Sequence, residues 1–217
     1  MKKILFAVMA LSISFTALAQ EKFEEGKMIS KQTITSDNEQ MSAMMASIGD
    51  IVSTTYVKGS KSRTETSNPM SGDITVITDN DAHEMLMIMD TPGGKMYSKQ
   101  SVKPTEETLE SIKIEKGTET KTILGYECKQ YTVSADVEGQ TIEMELFVTE
   151  KIKPILTQQT AVLAGKVNGF PLYMVMKMNQ QGTNMTITTE ITEMVSESVD
   201  ESKLDMTPPE GYKNIGQ

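Results

Sequence analysis

From Thr141 to Thr149 apolar and polar residues alternate without a break. Ile142, Met144, Leu146 and Val148 fall on one side of an extended chain, and Glu143 and Glu145 fall on the other. A period of two suits a half-buried β-strand and has no counterpart in a helix. The pattern returns at Met185–Val195, where Ile187, Ile191 and Val195 share a side. Segments 26–35, 51–57, 61–65, 74–79, 82–89, 95–98, 114–122, 129–134 and 171–178, rich in Thr, Val, Ile and Met, are predicted as further strands. Between them lie Asp79-Asn80-Asp81, Asp90-Thr91-Pro92-Gly93-Gly94, Glu138-Gly139 and Gln181-Gly182-Thr183-Asn184. These residues tolerate tight or left-handed backbone, so hairpins connect the strands and the sheet is predicted to be antiparallel.

Two helices are predicted within this β texture. Asn38–Ile48 places Met41, Met44, Met45 and Ile48 at helical spacing, with Ser36 or Asp37 to cap it and Gly49 to end it. Pro154–Ala164 is the second, stopped by Gly165, and Pro104–Ile112 adds a short helical turn. Residues 1–19 read as a secretory signal: Lys2 and Lys3, an apolar run from Ile4 to Leu18, and the small-residue site Ala17-Leu18-Ala19. Cleavage there leaves residues 20–217 as one domain, soluble, without a transmembrane segment, in the periplasm or secreted. Aromatic residues make up only 5% of the chain while methionine supplies 18 residues, so thioethers take over much of the core filling. A net charge of −9 argues against nucleic acid as a partner. One cysteine rules out an internal disulfide and any multi-cysteine metal site.

Four patches, in this order, carry a family resemblance. They are Tyr56-Val57-Lys58-Gly59-Ser60-Lys61-Ser62-Arg63, Ile77-Thr78-Asp79 ahead of a methionine-rich strand and Lys95-Met96-Tyr97, Ile123-Leu124-Gly125-Tyr126-Glu127-Cys128-Lys129-Gln130-Tyr131, and Pro208-Pro209-Glu210-Gly211-Tyr212. Together they resemble the secreted bacterial domain-of-unknown-function 4412 family, which is similar in turn to the LolA/LolB-type lipoprotein carriers. The resemblance implies a mainly β (α+β) fold. Its sheet would be a strongly curved antiparallel half-barrel, with a few short helices across its concave face. It also implies an apolar concavity that takes a lipid, an acyl chain or a lipoprotein.

The methionines concentrate in two stripes. His83, Met85, Met87 and Met89 are expected on one strand face, and Leu172, Met174, Met176 and Met178 on another. Either stripe reads as core or as the lining of a groove, because flexible thioethers fill irregular space. Thioethers also suit Cu(I), and a neighbouring imidazole would strengthen such a site, so a periplasmic copper protein is the alternative. A purely structural or interaction role fits the same residues.

Catalytic constellations are sparse. With one histidine and no G-x-S-x-G elbow, a serine triad lacks its frame, and a Cys128–His83 dyad competes with Cys128 as a buried hydrophobe or an intermolecular disulfide partner. Arg63, the one arginine, either holds a ligand's anionic group or pairs with Glu65. The expectation is a non-catalytic envelope protein without a cofactor. It would bind an apolar ligand through Met85, Met87, Met89, Leu172, Met174, Met176, Met178 and Arg63.

Overall fold

The computed structural model describes residues 23–68, 72–137, 140–157, 159–163, 166–180 and 182–216. The signal segment, the Glu138-Gly139 turn and Gln181 lie outside them. The elements run β1 (Glu25–Ser36), α1 (Glu39–Ile48), β2 (Ile51–Lys58), β3 (Lys61–Asn68), β4 (Gly72–Asp79), β5 (Glu84–Thr91), β6 (Gly94–Ser101) and α2 (Glu106–Ser111). They continue with β7 (Lys113–Ile123), β8 (Tyr126–Val137), β9 (Gln140–Thr149), β10 (Phe170–Gln180), β11 (Thr183–Val195) and β12 (Lys213–Asn214).

All twelve strands form one sheet in the order β12-β6-β5-β4-β3-β2-β1-β11-β10-β9-β8-β7. The sheet is curved and open, and antiparallel except at β12, which runs parallel to β6 through Lys213 and Asn214. Two meanders, β2 to β6 and β7 to β11, are joined where β1 lies between β2 and β11. Every predicted strand is present. On β9 the alternation holds as read, with Met144, Leu146 and Val148 each buried to within 2%.

The helices depart from expectation. Neither lies across the sheet as a buried layer: none of the residues of α1 is buried, and Met44 is 45% exposed. The helix lies beside β1, with Met41, Met45 and Ile48 half-buried. Its cap is Asn38, whose Oδ1 accepts from the Met41 amide at 3.0 Å. Asp37 instead accepts from the amide and side chain of Asn184, at 2.9 and 2.6 Å, tying β1 to the start of β11.

The predicted helix over 154–164 does not form either among the described residues, where only Ala161–Leu163 makes a single tight turn. The hydroxyls of Thr157 and Thr160 take the local backbone groups a helix would need: Thr160 Oγ1 accepts from the Thr157 amide at 2.8 Å and donates to the Ile155 carbonyl at 2.6 Å. The connection from β9 to β10, here termed the strap, then buries Ile152, Ile155, Leu163 and Val167 on the sheet. Each such aliphatic side chain contributes about 1.5–3 kcal/mol, so the strap is held to the sheet by burial.

The chain covers the opposite face as well. After β11 the tail (196–216) passes β3 with a short turn at Glu201–Leu204 and ends against β6. Tyr56, Arg63, Ile77 and Leu86 are register partners on this tail face. Ile77 and Leu86 are buried there to within 1%, and Leu204 to 4%.

Candidate functional site

Strand register sets out the strap face residue by residue. One row runs Met28, Thr55, Thr64, Val76, Met87 across β1 to β5, and the next runs Ser30, Ser53, Thr66, Ile74, Met89. In the other direction Gln32 faces Thr189, which faces Met174, which faces Leu146. The two methionine stripes therefore occupy the same face of one sheet, but they do not meet. Six strand spacings separate β5 from β10, about 29 Å along the sheet.

Between them, β2 to β4 carry paired hydroxyls among aliphatic side chains. Ser53 Oγ and Thr66 Oγ1 are 2.6 Å apart, Thr55 Oγ1 and Thr64 Oγ1 are 2.9 Å apart, and Ser62 Oγ and Thr78 Oγ1 are 2.8 Å apart. Sequence reading missed this hydroxyl floor. Its signal was present in Ser53-x-Thr55 and Thr64-x-Thr66, alternating in phase with the strands, but threonine is also an ordinary strand former.

Two neighbouring clefts open on this face beneath the strap, both lined by its Gln159. The first, of about 160 Å³, lies between Gln32, Ile51, Ser53, Thr64, Thr66, Ile74 and Val76. The second, of about 30 Å³, is bounded by Met28, Phe170, Leu172, Met174 and Ile191, with Ser30, Thr55, Thr157, Thr160 and Thr189 as its polar edge. Among the described residues, Thr189 Oγ1 is a buried side-chain oxygen without a hydrogen-bond partner. Titratable side chains line neither cleft among those residues. A larger hollow of about 730 Å³ at Lys58–Lys61 and Glu201–Met206 is a different kind of place. It lies where the tail meets β2 and β3, beside the Lys58–Glu201 ion pair at 3.3 Å.

The expected site residues divide accordingly. Leu172 and Met174 line the second cleft. Met85 is buried, while Met87 and Met89 are half-buried on the same face further along the sheet. Met176 and Met178 are half-buried and face Met144 and Met185 across the ladder. Arg63 is on the opposite face. Its Nε donates to Glu65 Oε1 at 2.7 Å and its Nη1 to the Lys203 carbonyl at 3.2 Å, so it anchors the tail. His83 is not on the methionine stripe: it occupies the turn before β5 with φ +52°, and Cu(I) ligation on that stripe would rest on thioethers without the imidazole. Cys128 is fully buried, and burial pushes its thiol up to about 11. A thiolate nucleophile or an intermolecular disulfide at Cys128 would require the surrounding core to open.

Residues 39–161, more than half of the chain, match the model of a family described as Domain of unknown function (DUF4412). No curated protein matches the chain. Among solved structures it is similar to PNGF-II, with 16% identity over 89% of this chain and a TM-score of 0.48. The chain spans only 31% of that protein's length. It is also similar to the lipoprotein LppX of Mycobacterium tuberculosis, with 8% identity, 79% of this chain and 89% of that one covered, and a TM-score of 0.33. Among the described residues no helix is long and apolar enough to cross a membrane.

Proposed function

We propose that this chain, which belongs to the DUF4412 family, is a non-catalytic binding protein that takes an apolar chain on the strap face of its sheet. The observation that carries the reading is the pair of clefts meeting at Gln159, with Met28, Leu172, Met174 and Ile191 walling the inner one. Apolar chains gain about 0.8 kcal/mol for each methylene removed from water, and methionine walls adapt to chains of different shape. An open volume of about 160 Å³ is below the roughly 300 Å³ at which ligand pockets usually begin. Uptake of a long chain therefore includes displacement of the strap, whose own buried residues the chain replaces. The curved sheet then serves as a half-barrel, in a protein of the cell envelope or its exterior.

The test is titration with an uncharged fluorescent long-chain alkanol. Saturable binding is expected for the wild type. Thr64→Trp, which fills the first cleft from its floor, should lower the affinity at least about tenfold, equivalent to about 1.4 kcal/mol. Folded wild-type protein that binds no probe would remove the reading and leave a structural role.

A further inference from the structure

Resting on that reading, we infer that the ligand is an amphiphile whose polar end is uncharged and carries hydroxyl or amide groups, as in a sugar or glycerol head. The two clefts differ in character. The inner one is mostly hydrocarbon and thioether, while the outer one is floored by hydroxyls and flanked by carboxamides. An apolar chain needs no such floor.

The floor has hydrogen-bonding capacity to spare. A hydroxyl carries one proton and two lone pairs. In each of the pairs Ser53–Thr66 and Thr55–Thr64 one hydroxyl donates to the other, which leaves the second proton and further lone pairs for a partner; Ser53, Thr64 and Thr66 line the outer cleft and Thr55 the inner one. Gln32 from β1 and Gln159 from the strap each bring a carboxamide to the cleft. Thr189 Oγ1, opposite Gln32 in the ladder, is buried and unpartnered at the join of the two clefts. These groups both donate and accept, which matches a head made of hydroxyls or amides.

They do not match a charged head. Among the described residues the lining offers no ammonium, guanidinium or carboxylate to either cleft, and Arg63 is committed to Glu65 and Lys203 on the other face. A phosphate, carboxylate or ammonium drawn under the strap would lose its hydration without gaining a counter-charge.

The experiment is competition against the alkanol probe by amphiphiles of one chain length: an alkyl glucoside and a monoacylglycerol, then a fatty acid, an alkyl phosphate and an alkyltrimethylammonium. The uncharged pair should displace the probe at concentrations at least about tenfold lower than the charged three. In Thr64→Val/Thr66→Val, which nearly keeps shape but removes two hydroxyls of the outer cleft, the glucoside and the monoacylglycerol should lose at least about tenfold in affinity relative to the alkanol, with circular dichroism to confirm folding. Equal or tighter binding of a charged head, or a variant in which the glucoside and the monoacylglycerol keep their wild-type affinity relative to the alkanol, would overturn the inference and leave the parent reading intact. Failure of the folded protein to bind even the alkanol would sink both.

Discussion

Thr78 Oγ1, on β4, donates to the Leu156 carbonyl of the strap at 2.6 Å. Ser62 Oγ on β3 reaches the same carbonyl at 2.9 Å and Thr78 Oγ1 at 2.8 Å. Two hydroxyls with one proton each thus converge on one carbonyl, and they fasten a segment that leaves from β9 to the far side of β1. Thr78→Val, nearly isosteric, should cost about 1 kcal/mol, because Ser62 can still satisfy Leu156. Ser62→Ala/Thr78→Val should cost more than the two single changes combined, since only then is the carbonyl left without a donor. Urea unfolding of the three variants checks this, and strict additivity would show that the hydroxyls do not share the work.

Arg63 is expected to hold the tail and not the ligand. Arg63→Ala removes its bonds to Glu65 and to the Lys203 carbonyl and should lower stability by about 1–2 kcal/mol. Cleavage of the tail by a protease should quicken while affinity for the alkanol probe stays that of the wild type. Loss of probe binding in the folded variant would return Arg63 to the site.

The tail should also loosen in acid. The Val199 amide, followed by Lys58, holds the Glu25 carboxyl below its ordinary range. The Ser202 amide does the same for Asp200, and the Thr207 hydroxyl for Asp205. A carboxylate whose folded pKa is lowered contributes stability above its unfolded value, near 4, and loses it as the pH falls through the folded value. The urea midpoint should therefore drop between about pH 5 and about pH 2. Glu25→Gln should start lower and drop less over that window. Parallel curves for the two proteins would contradict the assignment.

Cys128 should be inert in the folded protein. Its thiol is fully buried and, pushed up to about 11 by that burial, is protonated at neutral pH. Alkylation at about pH 8 should proceed no faster than global unfolding, and a stabilising mutation should slow it in proportion. Rapid labelling of the native protein would reopen a role for the thiol.

The strands were legible because period two is a local property: Ile142 to Val148 announce one face whatever lies beside them. The sheet order was not, since nothing near Met28 or Ile191 says that β1 pairs with β11 across most of the chain. The strap was misread as a helix because Pro154, Gly165 and the apolar residues between them fit helix punctuation. Its conformation is decided instead by Thr157, Thr160 and the burial of Ile155 and Leu163. The Glu65 partner of Arg63 could be read from two residues on one strand face, whereas Lys203 could not. Of the candidate site, sequence supplied Leu172 and Met174. It did not supply the hydroxyls that divide the two methionine stripes, because their meaning lies in which strands are neighbours.

Photo-crosslinking with a diazirine-bearing alkanol, mapped by mass spectrometry, tests the central claim most directly. Saturable labelling is expected on β1 and β10 around Met28, Leu172 and Met174, on β2 and β3 around Ser53, Thr55, Thr64 and Thr66, and on the strap around Gln159. Excess unlabelled alkanol should compete it away. Labels gathered on the tail face around Tyr56, Arg63 and Leu204, or no saturable labelling of the folded protein, would contradict it.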